Sequence, residues 1–69
     1  MFGLRKSKAR FEVYNAEDGD WYWRLISNNG RIIADGSEGY ETRQSCTAGV
    51  KRVKKYSSRA KIVVERIIW

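Results

Sequence analysis

Arg43, Lys51, Lys54 and Lys55 recur at spacings that gather on one side of a helix. No acid stands three or four residues from any of them, so intrahelical pairing does not neutralise them. A face of that kind can contact phosphates; the plainer reading is a solvated helix surface. Arg52 lies nearer the edge of the face. Arg5, Lys6 and Lys8 at the N-terminus add a second basic group. Aromatic residues offer a different chemistry, the stacking of nucleic-acid bases. Phe11, Trp21 and Trp23 share one face of their strands and read as core, whereas Tyr14 and Tyr22 point the other way, toward a stacking surface or a subunit contact. Arg24 and Asp35 read as a cross-strand pair. The loop Gly36–Gly39 precedes a helix, but Glu38 and Glu41 would repel an anion there.

Catalytic and metal chemistry find little material. Cys46 is the one cysteine and histidine is absent. A nucleophilic thiol would lack its usual base, and Cys46 falls on an apolar helical stripe, where a buried core thiol is expected. No ligand set for zinc is present, and no cofactor is implied. The acids Glu17, Asp18 and Asp20 crowd a turn and read as a solubilising loop. The expectation is therefore a non-enzymatic protein.

Positioning these residues requires a few short elements. Residues 1–9 show no periodicity and are expected to form a mobile basic arm; residues 10–69 form the single domain. From Phe11 to Tyr14 apolar and polar residues alternate as in a half-buried strand. Asn15–Asp20 is a turn, and Trp21–Ile26 alternates again. Asn29-Gly30 signals a hairpin. A two-residue loop there sets Arg24 against Asp35, Leu25 against Ala34 and Ile26 against Ile33; a loop that includes Asn28 is the alternative. Thr42 is placed to cap a helix over residues 42–56, with Glu38 and Glu41 near its positive end. Cys46, Gly49, Val50 and Val53 form its apolar stripe, which Tyr56 is expected to extend. Gly49 is expected to admit a large ring, with Trp21 or Trp23 as candidates. Ser57-Ser58-Arg59 ends the helix. Lys61–Trp69 is rich in β-branched residues and reads as a fourth strand, apolar on both faces.

This sequence of residues resembles the YegP-like domains. The similarity is carried by Trp21-Tyr22-Trp23-Arg24-Leu25, Asn29-Gly30, Glu38-Gly39-Tyr40, Ser45-Cys46, Gly49-Val50 and Val53-Lys54, and it runs from about Phe11 to Lys54. The resemblance implies a small α+β unit, an antiparallel meander packed on one helix, with single-domain members pairing as dimers. It supplies no catalytic residues.

The expected architecture is β-β-β-α-β, intertwined or packed as a homodimer. Size favours this independently. A chain of 69 residues sits near the limit of independent stability, a lone cysteine excludes an intrachain disulfide, and metal is disfavoured. The subunit contact is expected at Tyr22, Ile26 and Ile33, with Ile67 and Trp69 of the last strand. Charge runs basic, acidic, basic: +4 over residues 1–10, −5 over 11–42 and +7 over 43–69. The basic ends suit nucleic acid, and equally an acidic protein surface or the acidic turn of a partner subunit. A small-ligand sensor with a site between subunits is a further alternative. No apolar run approaches the roughly 20 residues of a membrane span. The basic N-terminus lacks the apolar core of a signal peptide, and a free cysteine fits the cytoplasm.

Overall fold

A computed structural model describes residues 9–66. Its elements follow in the order β1 (Arg10–Asn15), β2 (Trp21–Ile26), β3 (Ile32–Asp35) and α1 (Arg43–Ser57). The strands form one antiparallel sheet in the order β1-β2-β3. Helix α1 packs across β1 and β2. This is the α+β meander on a helix that the alternation in residues 11–26 and the stripe in residues 46–53 predict.

The two hairpins share one loop design. In the first, the Gly19 amide donates to the Ala16 carbonyl and the Ala16 amide to the Asp20 carbonyl, each at 2.9 Å. In the second, the Gly30 amide donates to the Ser27 carbonyl at 2.9 Å and the Ser27 amide to the Arg31 carbonyl at 2.8 Å. Each loop thus has three residues and ends on a glycine with positive φ, +90° at Gly19 and +87° at Gly30. No other described residue type takes positive φ. That excludes a type I′ turn at Asn29-Gly30, which needs positive φ at both positions. The loop including Asn28 is the one that forms.

The longer loop shifts the pairing by one residue, and β3 shifts it back. Ile26 pairs with Ile32, not with Ile33 as the two-residue loop requires. An irregularity then follows between Leu25 and Ile26, beyond which Leu25 meets Ala34 and Arg24 meets Asp35, as the sequence suggests. Ile33 is the extra residue of this bulge and is 59% exposed.

The core lies between the sheet and α1. Trp23, Cys46 and Val50 are buried at its centre, and Phe11, Val13, Trp21, Leu25, Tyr40 and Val53 pack around them. Phe11 meets Trp23 edge to face, with ring centroids 5.7 Å apart at 63°, a favourable aromatic geometry. Thr42 caps α1, its hydroxyl accepting from the Ser45 amide at 3.1 Å. The Trp21 amide donates to the Tyr40 carbonyl at 2.7 Å, and the Tyr40 amide to the Trp21 carbonyl at 2.8 Å. This bridge hangs Tyr40 over α1 at Gly49, where an added Cβ would collide with the Tyr40 hydroxyl and ring. The ring that requires Gly49 is therefore Tyr40, and neither Trp21 nor Trp23.

The helix ends in a turn, with the Arg59 amide donating to the Tyr56 carbonyl at 3.0 Å. Residues 61–66 form no strand and make no ladder with the described sheet. Their β-branched composition favours an extended chain, but a strand needs a partner edge, and this chain does not bring one to them. The remainder of the expected fourth strand, including Ile67 and Trp69, lies outside the described residues.

Candidate functional site

Helix α1 carries the candidate site. Its buried residues Cys46, Gly49 and Val50 fix which side faces the sheet, so Arg43, Lys51, Lys54 and Lys55 are all exposed. Lys51 and Lys55 stand one turn apart, about 6 Å along the axis, and Arg43 lies about 12 Å below Lys51 at 1.5 Å per residue. Among the described residues, the ion pairs join Arg10 and Arg24 to Glu12; none involves these four cations. Lys55 lies 5.4 Å from the centroid of the Tyr56 ring, a weak cation–π contact that leaves the ammonium in water. Lys54 and Lys55 also stand in the last turn, where positive charge favours the helix dipole. The helix thus presents a row of uncompensated cations on a rigid scaffold. Arg52 is exposed beside them. Arg5, Lys6 and Lys8 lie outside the described residues.

The opposite face of the sheet carries the polar aromatic group. Tyr14 pairs with Tyr22 across β1 and β2, and their rings stack with centroids 6.0 Å apart. The Arg24 guanidinium lies 4.7 Å from the Tyr14 centroid and donates through Nε to Glu12 Oε1 at 2.9 Å. Arg24 therefore takes Glu12 on β1 as its ion partner, although its register partner on β3 is Asp35. Arg24, then Arg10, holds the Glu12 carboxyl below its ordinary range. The Tyr22 hydroxyl donates to Asp18 Oδ2 at 2.6 Å. That bond lowers the Asp18 carboxyl and raises the Tyr22 hydroxyl to about 12. The stacking candidates are engaged with each other and with charges of both signs. A sequence reading misses this network, because Asp18 belongs to a loop and only the fold brings it beneath Tyr22.

The remaining candidates fall into place around the core. Cys46 is fully buried, and desolvation raises its thiol, the reverse of what a reactive thiolate requires. Tyr22 is half-buried on the outer sheet face, and Ile26 is only 6% exposed within the single chain. A Cβ at Gly39 would meet Asp20 Oδ2 at 2.8 Å, so an acid stands where the loop before α1 would have to receive an anion. No helix among the described residues is long and apolar enough to cross a membrane.

Comparison with other proteins agrees with this architecture. A UPF0339 protein of Methanosarcina acetivorans is 41% identical over 56 residues, covering 81% of this chain and 95% of the relative. A UPF0339 protein of Treponema denticola is 35% identical over 55 residues, covering 80% and 93%. The solution structure of a protein from Haloferax volcanii superposes with a TM-score of 0.76 at 35% identity, over 87% of this chain and 100% of the other. The family described as Domain of unknown function (DUF1508) matches residues 16–63, which take in β2, β3 and all of α1. With most of the chain matched and the YegP-like residues in place, this protein belongs to the DUF1508 family.

Proposed function

We propose that this chain is a non-enzymatic binding module that works as a homodimer and contacts nucleic-acid phosphates through Arg43, Lys51, Lys54 and Lys55. The observation that carries the reading is the exposed row of cations on α1, free of ion pairs among the described residues. The residues 43–69 hold a net +7, enough to attract a polyanion over several ångströms at moderate salt. Contacts of this kind are made to the backbone and carry little base specificity. The mixed charges around Tyr14 and Tyr22 leave that face out of the phosphate surface.

The homodimer is supported by apolar surface that one small chain leaves uncovered. Ile32 and Ile33 are 56% and 59% exposed, and Ile62 and Val64 are 91% and 90% exposed. Tyr22 and Ile33 remain available at a subunit contact; Ile26 is already covered, and Ile67 and Trp69 lie outside the described residues. In this reading the fourth strand forms only in the dimer.

Fluorescence anisotropy with a labelled oligonucleotide tests the binding. The affinity is expected to fall steeply with salt and to survive a change of base sequence. Changing Lys51, Lys54 and Lys55 together to Glu is expected to abolish it while the dimer and its helix content persist. Binding that survives the triple change rejects the site. Loss of the dimer in the same variant instead assigns the lysines to a subunit contact.

A further inference from the structure

We propose that the Tyr56 ring stacks on a nucleobase while Arg52, Lys55 and Arg59 hold the adjoining phosphates, so that the ligand of α1 is an unpaired nucleic-acid strand. This rests on the phosphate-binding reading and names its substrate class. The apolar stripe of α1 does not extend to Tyr56. Cys46, Gly49 and Val50 are buried and Val53 is half-buried, whereas Tyr56 is 59% exposed. At about 100° per residue Val53 returns to within about 20° of Cys46, but Tyr56 falls about 80° away, on the Gly49 edge of the stripe. Tyr40 covers that edge at Gly49. Tyr56 lies two turns further on, about 10 Å along the axis.

Of the described aromatic residues Tyr56 is the most exposed. The others are engaged: Phe11, Trp21, Trp23 and Tyr40 in and around the core, and Tyr14 with Tyr22 on the outer sheet face. A lone exposed tyrosine says little by itself; its surroundings point to a ligand. Arg52 precedes it by one turn on the same side of the helix. The Lys55 ammonium lies 5.4 Å from the ring centroid. Arg59 follows in the turn that its own amide closes on the Tyr56 carbonyl at 3.0 Å. All three cations are exposed, none joins an ion pair among the described residues, and no acid occurs in the sequence between Glu41 and Glu65. A ring among uncompensated cations matches the two parts of a nucleotide, a flat base and an anionic phosphate. Inside a duplex the neighbouring pairs cover both faces of each base, so a ring on a helix surface reaches a base face in an unpaired strand. Stacking accepts any base, in keeping with phosphate contacts that ignore sequence.

Fluorescence anisotropy with three labelled probes of equal length tests the stacking: a single strand, an abasic strand that keeps the phosphates without the bases, and a duplex. The parent chain is expected to bind the single strand at least about 5-fold more tightly than the abasic strand. Tyr56→Ala is expected to remove that difference, with binding to the abasic strand and the duplex, the salt slope and the helix content all unchanged. Tyr56→Trp is expected to retain the preference, because it keeps a ring. Equal binding of the single and abasic strands by the parent overturns the stacking and leaves the phosphate contacts standing. A preference that survives Tyr56→Ala likewise overturns the role of this ring. Weakening of Tyr56→Ala on all three probes alike assigns the ring to upkeep of the helix and overturns the proposal. No binding of any probe by the parent at low salt overturns both readings.

Discussion

Trp23 ties the sheet to the helix at the residue scale. It is one of three residues at the centre of the core and meets Phe11 edge to face. Truncating a core aromatic costs about 3–5 kcal/mol, against a total stability of about 5–15 kcal/mol for a typical domain. Trp23→Ala is therefore expected to unfold at far lower denaturant than the parent, or not to fold. Chemical denaturation followed by circular dichroism measures it; an unshifted midpoint contradicts the assignment of Trp23 to the core. Gly49 gives a test of opposite sign from propensity. Alanine gains about 1 kcal/mol over glycine within a helix, yet its Cβ collides with the Tyr40 hydroxyl and ring. Gly49→Ala is expected to destabilise, and a stabilised variant in the same measurement contradicts the contact. The charged network on the outer sheet face sets a pH dependence. Glu12 and Asp18 titrate below their ordinary values in the fold, Glu12 through Arg24 first and Asp18 through Tyr22 first. Their contributions are present above the unfolded values of 4.5 and 3.8 and are lost as pH falls through the lower folded values. Tyr22 has the reverse sign. Its contribution is present below the unfolded value of 10.0 and is lost as pH rises through about 12. Thermal melts across pH are expected to decline at both extremes. Glu12→Gln is expected to flatten the acid limb, and Tyr22→Phe to remove a tyrosine that titrates at about 12 in a spectroscopic titration.

At the scale of elements, the hairpins show how far alternation of residues carries. The pattern in Phe11–Tyr14 and Trp21–Ile26 identifies the strands and their buried faces, because each face meets one environment. It does not count the loop. Ile32 and Ile33 are identical residues, so shifting one past the other leaves the apolar pattern unchanged and the bulge unmarked. The register at Leu25 and Arg24 is nonetheless as expected, since loop and bulge cancel. The partner of Gly49 was legible only as a large ring, because Tyr40 sits in a loop that has no periodicity to place it. Arg24 shows the same limit: the sequence aligns it with Asp35, and only the packed sheet shows Glu12 within hydrogen-bond reach. In Lys61–Arg66 composition announces a strand, and these residues join no edge of the described sheet. The lysine row, by contrast, was legible directly, because helical spacing alone places Lys51, Lys54 and Lys55 together. The loop glycines follow the same logic. Gly30 holds a φ of +87°, a conformation that costs other residues about 1–2 kcal/mol. Gly30→Ala is expected to lower stability by about that amount, read from the denaturation midpoint, and an unchanged midpoint would deny the three-residue loop.

At the scale of the whole molecule, charge and apolar surface are separated. Acids concentrate in residues 11–42, on the strands and their loops, and bases on α1 and the two ends. The exposed isoleucines and valines of β3 and residues 62–64 belong to assembly in this account, and the cations of α1 to recognition. A homodimer would carry two copies of the basic helix and gain avidity on a long polyanion. Light scattering at micromolar concentration tests the assembly on its own, with a dimer expected and a stable monomer contradicting it. The most direct test of recognition is residue-resolved. Amide spectra of the 69-residue chain, titrated with a single-stranded oligonucleotide at low salt, are expected to show shifts concentrated at Arg43 and Lys51–Lys55, reversed by added salt. Shifts confined to Tyr14, Tyr22 and Arg24, or none at saturating oligonucleotide, would contradict the basic face of α1 as the binding surface.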